Sequence, residues 1–163
     1  MGKDSKLKID GLWIVGAFFL LALFFYAKES DSMELEIGPT NLSGEWAKGG
    51  ILMFTQREGH WSFGGGYVSE QFVSTCPRPD CDNDIEPNIF FQVHRMVEYR
   101  RWELGLGPTY FQNTNRALGQ RLNWGLSLGY KYGDWTLRIR HWSNAGSGAW
   151  NLGQDALTIG YTF

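Results

Sequence analysis

The chain has 163 residues, enough for one domain, and its 15 basic and 17 acidic residues leave a formal net charge of −2. A nucleic-acid-binding protein needs a basic face for the phosphates, so this charge balance argues against nucleic acid as a partner. A hydrophobic share of 43% argues against disorder, and 21 glycines beside 8 Trp, 7 Tyr and 11 Phe fit a β-protein with many turns better than a helical bundle.

The first 32 residues have the pattern of an export signal. Three lysines precede an uncharged, mostly apolar segment of 17 residues between Asp10 and Lys28. As a helix this segment would extend for roughly 25 Å at about 1.5 Å per residue, which is at the short end for crossing a bilayer. We therefore predict a cleaved signal peptide in residues 1–32, with a retained N-terminal anchor as the alternative. Both predict that the remaining chain is exported.

The two cysteines, Cys76 and Cys81, lie close together in a polar, proline-containing segment. In an exported protein this spacing predicts a small disulfide loop. A zinc site is the weaker alternative, because two thiolates with no nearby histidine do not complete a tetrahedral ligand set. We expect no metal ion here.

From residue 33 onward, apolar and polar residues alternate with the period of two that is typical of β-strands. The segment 122–132 is the clearest, since its even-numbered residues are Leu, Trp or Tyr and its odd-numbered residues are Asn, Gly, Ser or Lys. Eight segments are predicted as strands: 33–39, 48–57, 61–67, 88–98, 102–107, 122–132, 135–143 and 155–163. The region 33–163 is therefore predicted to be all-β.

The residue types on the two strand faces distinguish a membrane barrel from a soluble sandwich. One face carries large aromatic residues and leucine, whereas the other carries mainly Gly, Ser, Thr, Asn and charged residues. A closed eight-stranded barrel with lipid outside and a polar, packed interior requires this division. Arg138, Arg140, Lys131 and Glu103 must then form ion pairs inside the barrel.

The connections between the strands support the membrane barrel, because short and long ones alternate along the chain. The short ones lie near 58–60, 99–101 and 133–134, and the long ones near 40–47, 73–87, 112–120 and 144–154. Outer-membrane barrels have short periplasmic turns and longer outer loops. We predict an eight-stranded antiparallel outer-membrane β-barrel over residues 33–163. A soluble β-domain tethered by an uncleaved N-terminal helix is the alternative.

One strand end carries residues that can perform nucleophilic chemistry. His141 and Ser143 are two residues apart on a strand, so they project from the same face with Cβ atoms roughly 6.6 Å apart. A histidine next to a serine hydroxyl is the base that activates it, and Asp155 on the following strand could orient the histidine. This face is the one predicted to meet lipid, so the substrate would be a lipid and the reaction hydrolysis of an acyl ester. The alternative is that these are polar residues of an ordinary turn.

The same stretch resembles a known family. His-Trp-Ser-Asn-Ala-Gly at residues 141–146, followed by Asn151, Gly153 and an acid at position 155, resembles the PagL lipid A 3-O-deacylases. The resemblance is specific over residues 138–163 and depends on strand pattern upstream. It implies an eight-stranded outer-membrane barrel that hydrolyses the ester-linked acyl chain at position 3 of lipid A with a Ser-His-Glu triad and no cofactor.

Carried over residue by residue, the resemblance implies that Ser143 is the nucleophile, His141 the base and Asp155 the orienting acid. Asn144 and the amide of Gly146 would stabilise the oxyanion of the tetrahedral intermediate. Position 155 departs from the family pattern, which usually has Glu there; Asp is one methylene shorter, and triads elsewhere use either acid.

The expected partners are lipid A or lipopolysaccharide and the outer membrane of a Gram-negative bacterium, with the active site at the outer leaflet. Arg116 and Arg121 are candidate ligands for the lipid A phosphates, with solvated loop charge as their alternative. The outward side chains of the last three strands would hold the acyl chain. A non-catalytic barrel is the rival function, and the sequence leaves open whether the protein forms a homodimer.

Overall fold

The structure, a computed structural model, describes residues 32–42, 45–72, 84–114, 118–144 and 153–163. The alternating segments form strands through most of these ranges, which contain ten strands in all. They are β1 (Ser32–Leu42), β2 (Glu45–Glu58), β3 (Trp61–Val68), β4 (Gln71–Phe72), β5 (Asp84–Ile85), β6 (Asn88–Tyr99), β7 (Trp102–Phe111), β8 (Leu122–Tyr132), β9 (Trp135–Ser143) and β10 (Gln154–Thr162).

Eight of these strands form one closed antiparallel sheet. Its order is β1, β10, β9, β8, β7, β6, β3, β2, and β2 pairs with β1 again. The first and last strands meet through pairs such as Ile37 with Ile159, so the closed sheet has no free edge. β4 and β5 form a separate two-stranded sheet in the connection between β3 and β6. The predicted eight-stranded antiparallel barrel is confirmed.

The two faces of the strands are divided as the alternation predicts. Along β7 every second side chain is exposed on the outside of the barrel and every intervening residue is buried, and β8 follows the same pattern over most of its length. The exposed side chains are Leu, Trp and Tyr at most positions, for example Leu104 and Trp124. A wall with large apolar groups outside and small or polar groups inside is suited to lipid around it.

Very short connections lie at one end of the barrel, which we call the turn end. Two residues each join β2 to β3, β6 to β7, and β8 to β9. Gly59 and Gly133 have φ angles of 54° and 61°, and Arg100 has a φ of 57°. Tight hairpins use positive φ because their twist then matches the twist of the strands, and glycine adopts it without strain.

The opposite end, which we call the loop end, carries the longer connections. The predicted long connection over 40–47 is wrong, because β1 extends to Leu42 and β2 begins at Glu45. The ladder between these strands shifts register between Pro39 and Asn41. Proline cannot donate to a ladder, and a bulge of this kind allows pairing to continue beyond it.

The interior near the turn end is filled by charged side chains of both signs. The carboxylate of Glu36 accepts hydrogen bonds from Arg138 and Arg140, with Arg140 Nε 3.0 Å from Glu36 Oε2. Glu103 pairs with Arg138 and with Lys131, whose Nζ lies 3.2 Å away. Buried charges require such partners. The predicted internal pairing of Arg138, Arg140, Lys131 and Glu103 is confirmed, and it anchors the inward face of β9.

The interior near the loop end contains an apolar cluster among buried polar residues such as Gln71 and Asn123, which the prediction of a polar lumen did not anticipate. A buried cluster there contains Ile51, Met53, Val68, Phe90, Phe111, Leu118, Trp142 and Ala156. An enclosed lumen must be packed whatever its polarity, and large aromatic side chains fill the space that glycine leaves on neighbouring strands. This cluster fills part of the lumen at the loop end.

Several sequence predictions concern residues outside the described ranges. They are the signal or anchor segment up to residue 31, the cysteines Cys76 and Cys81, the phosphate candidate Arg116 and the oxyanion candidate Gly146. Among the described residues, no helix is long and apolar enough to cross a bilayer.

Candidate active site

The loop end of β9 presents His141 and Ser143 on the outer surface of the barrel. Both side chains are partly exposed, and Trp142 between them is fully buried in the lumen. The Trp142 ring centroid lies 5.5 Å from that of Phe90 and 6.1 Å from that of Phe111. Because neighbouring residues of a strand face opposite sides, this buried aromatic contact holds His141 and Ser143 on the outer face.

Asp155 lies directly opposite His141 in the ladder between β9 and β10. Its Oδ1 is 2.7 Å from Nδ1 of the histidine, and the two side chains are 43% and 44% exposed. In a neutral imidazole that donates Nδ1–H to this carboxylate, the lone pair is on Nε2. Asp155 therefore holds the imidazole of His141 in one tautomer, in which Nε2 can accept a proton.

The aspartate at position 155 reaches the histidine although it is shorter than glutamate. A direct cross-strand pair brings Cβ atoms to about 4.5–5.5 Å, a gap that one carboxymethyl group and an imidazole can close. The departure from the usual Glu thus leaves the contact between the acid and the base intact in this chain.

Ser143 is two residues beyond His141 on the same face and is half-buried. Within the described part of the chain, no hydrogen bond joins Ser143 Oγ to the histidine ring. Such bonds are often long in substrate-free enzymes and tighten when the substrate is bound. Nδ1 already contacts Asp155, so Nε2 is the ring nitrogen that remains for the serine hydroxyl.

Apolar side chains adjoin this polar group on the β8 side and toward the turn end of the barrel. On β8, Trp124 is paired with Ser143 and Leu126 with His141. Ile139 lies two residues before His141 on β9, toward the turn end, and it is paired with Leu157 of β10. A hydrocarbon chain lying along this surface would have its carbonyl end next to the hydroxyl and the imidazole. Alternation placed Trp124 outside, but only the register between β8 and β9 shows that it adjoins Ser143.

The remaining predicted site residues occupy the same end of the barrel where they are described. Asn144 directly follows β9, and its side chain is only 1% exposed. Arg121 is exposed and immediately precedes β8. Residues 32–42, 45–72, 84–114, 118–144 and 153–163 contain no cluster of side chains suited to a metal ion. His94 is buried in the lumen and His60 lies in a turn, so neither adjoins this group.

Comparison with known proteins identifies the family of this chain. The family described as Lipid A 3-O-deacylase (PagL) matches residues 39–163. The chain is also similar to a solved structure described as the crystal structure of the outer membrane enzyme PagL, with 16% identity over 81% of this chain and 98% of that one and a TM-score of 0.48. No curated protein matches the chain in sequence. The family match covers most of the chain, which therefore belongs to the PagL family of lipid A 3-O-deacylases, ester hydrolases of the Gram-negative outer membrane.

Proposed function

We propose that this protein removes the 3-O-linked acyl chain of lipid A with a Ser143–His141–Asp155 triad that faces the outer leaflet. The observation that carries the assignment is the 2.7 Å contact between His141 Nδ1 and Asp155 Oδ1 on the outer wall of the barrel, beside a serine on the same strand face. A base oriented by an acid and adjoining a hydroxyl is the arrangement that activates a serine nucleophile.

The position of the group in the membrane supports a lipid substrate. Short turns of outer-membrane barrels lie in the periplasm and longer loops lie outside, so the loop end faces the cell exterior. Polar side chains are costly against hydrocarbon but acceptable at the depth of the headgroups. His141, Ser143 and Asp155 lie on the outward face at this end, where an ester of lipid A would meet them from within the bilayer.

The proposed reaction proceeds by an acyl-enzyme. His141 Nε2 accepts the proton of Ser143 as Oγ attacks the ester carbonyl carbon, which forms a tetrahedral oxyanion. The bond from this carbon to the sugar 3-oxygen then breaks, and His141 returns the proton to that oxygen. Water attacks the acyl-serine with the same base, which releases a fatty acid and restores Ser143. All three residues belong to one chain, so the proposed triad does not require a second subunit, and none of these steps uses a cofactor.

Asn144 and the amide of Gly146 are proposed to stabilise the oxyanion. Donors of this kind act best where water is excluded; Asn144 is buried and directly follows the nucleophile in the chain. Fixed donors stabilise the charge that develops on the carbonyl oxygen more than they stabilise the neutral ester.

The acyl chain and the phosphates of lipid A are proposed to bind on either side of the triad. The exposed outer faces of Trp124, Leu126 and Ile139 form an apolar surface that continues from Ser143 toward the middle of the membrane. Arg121, together with Arg116, would contact phosphate beyond the loop end. The fully charged guanidinium suits this role because it presents several donors in one plane.

Residues 1–32 are proposed to direct export, since an outer-membrane barrel must cross the inner membrane before it folds. The apolar segment between Asp10 and Lys28 provides the signal. The intact mass of the protein isolated from outer membranes tests this part of the proposal. Loss of the N-terminal segment is expected, and retention of the full chain would favour the anchor.

Lipid A mass spectrometry tests the catalytic assignment. The purified full chain in detergent should remove one hydroxyacyl chain from lipid A, seen as a single mass loss. Ser143→Ala and His141→Ala should each abolish this loss. Ser127→Ala is the matched control, because Ser127 lies on β8 and faces the lumen. This substitution should leave activity unchanged. Undiminished activity of folded Ser143→Ala would refute the triad and leave a different catalytic site. No activity in the wild type would favour a non-catalytic barrel.

A further inference from the structure

Gly153 ends the connection between β9 and β10 and is a buried residue with a φ angle of 71°. The ladder between the two strands ends at the pair of Gln154 with Trp142. The residues that come next beyond this pair are Gly153, just before β10, and Ser143, the last residue of β9. Residues 153 and 155 precede and follow Gln154, which places Gly153 beside the acid that contacts His141.

The imidazole of His141 packs directly against this glycine. A Cβ atom added at position 153 would lie 2.6 Å from Cε1 of the ring, 3.3 Å from Nε2 and 3.4 Å from Nδ1. The first distance is shorter than real Cβ contacts, so a side chain of any kind would displace the ring. The positive φ is a second, separate restriction, because residues with a Cβ adopt this conformation at a cost.

The direction of the clash matters for the chemistry. Cε1 lies between the two ring nitrogens. Nδ1 contacts Asp155, and Nε2 remains for Ser143. A ring pushed away at Cε1 cannot keep both nitrogens in place. Rotation about χ2 lengthens the contact with Asp155, and movement of the whole ring changes the approach of Nε2 to the serine. Leu126 and Asp155 are the neighbours of His141 across the two ladders.

We infer that Gly153 is a positioning residue of the deacylase: its missing side chain is what allows the His141 ring to lie where Nδ1 meets Asp155 and Nε2 remains for Ser143. The inference builds on the proposed triad. It concerns the orientation of the base, and Gly153 itself contacts no reacting atom.

Gly153→Ala tests the inference against Gly133→Ala. Gly133 has a φ of 61° in the turn between β8 and β9, and a Cβ there would meet no atom within 4 Å. The two variants share the backbone restriction, but only the first has a clash with a ring. We expect Gly153→Ala to lower kcat for lipid A about 100-fold, as misplacement of a catalytic group by about 1 Å can do, with KM changed less than about threefold. Gly133→Ala should keep kcat within about threefold of the wild type. Equal kcat in the two folded variants would overturn the inference.

A stability cycle tests the same contact without activity. Thermal unfolding is measured for Gly153→Ala alone and in a His141→Ala background, where the ring is gone. If the ring is the obstacle, the added methyl group lowers Tm clearly in the first case and much less in the second. An equal drop in both backgrounds would contradict the contact. Should Gly153→Ala fail to fold, restored folding of the double variant supports the inference and continued failure opposes it.

The outcomes for the inference and for the triad are distinguishable. Activity that survives Ser143→Ala refutes the triad, whatever Gly153→Ala does. An inactive Ser143→Ala together with a Gly153→Ala variant as active as Gly133→Ala leaves the triad standing and refutes only the positioning role.

Discussion

Asp155 is paired directly with His141 across the β9–β10 ladder, and its Oδ1 lies 2.7 Å from Nδ1 of the imidazole. Both residues are on the outer face of the wall, whereas their neighbours Trp142 and Gln154 are buried inside. The geometry of the acid and base is therefore set by strand register and by inward packing.

Replacement of Asp155 tests the role of this pair. Asp155→Asn keeps the size of the side chain but removes its charge and allows the wrong imidazole tautomer, so kcat should fall by roughly 10³–10⁴-fold. Asp155→Glu keeps the carboxylate and adds one methylene to a contact that is already short, and a loss of about tenfold is expected. Initial rates of fatty acid release from lipid A give both values. A larger loss in the Glu variant than in the Asn variant would contradict the proposed role.

Removal of the Asn144 side chain should weaken the stabilisation of the transition state. Loss of one oxyanion donor in other hydrolases costs about 10²–10³-fold in kcat with little change in substrate binding. We expect Asn144→Ala to show this pattern in steady-state kinetics. A variant whose KM rises while kcat stays constant would show instead that Asn144 binds the ground state.

Trp124 should contribute to binding of the acyl chain. Trp124→Ala removes a large exposed ring beside Ser143, and we expect kcat/KM to fall about 10- to 100-fold, consistent with the loss of one to three kcal/mol of apolar contact. Val97→Ala is the control, because Val97 is also an exposed outer residue but lies on β6 near the turn end. Equal kcat/KM in the two variants would place the acyl chain elsewhere on the barrel.

Arg121 should act through the phosphates of lipid A. Arg121→Ala is expected to raise KM severalfold for the bisphosphorylated lipid and to leave KM for the dephosphorylated lipid unchanged. The comparison of the two lipids separates a phosphate contact from a general effect on the loops. A rise in KM of the same size for both lipids would assign Arg121 to solvated loop charge.

Glu36 should be essential for the stability of the barrel. Its carboxylate is fully buried and pairs with Arg138 and Arg140 on the strand that carries the site. Glu36→Ala leaves two buried guanidinium groups short of a partner, which should lower the free energy of unfolding by about 3–5 kcal/mol. Thr158→Val removes only one hydrogen bond to the same carboxylate, of 2.8 Å, and should cost about 1 kcal/mol. Urea titration in lipid vesicles measures both, and similar losses would contradict this account of the lumen.

Alternation along single strands predicted which side of the sheet most residues face, and the residue types on the two faces together with the connection lengths favoured a barrel over a soluble sandwich. The period of two is a local property of the pleat, so Leu126, His141 and Ser143 could be placed outside and Arg138 inside from sequence. The shortness of the connection between β1 and β2 was missed, since Pro39 and the polar residues after it have the composition of a loop.

Relations between strands were harder to predict, because they depend on register and on packing between distant residues. Asp155 was recognised as a candidate acid, but its 2.7 Å contact with His141 follows from a ladder that no local pattern displays. The apolar cluster around Trp142 and the contact of Gly153 with the histidine ring depend in the same way on several strands and one connection meeting at the loop end.

Covalent labelling of the serine tests the central claim most directly. A fluorophosphonate reacts with a serine only when a neighbouring base activates it, and peptide mass spectrometry of the treated barrel in detergent identifies the modified residue. We expect a single adduct on Ser143, absent from Ser143→Ala and reduced at least about 100-fold in His141→Ala. An adduct on another serine, or labelling of Ser143 that does not depend on His141, would contradict the account.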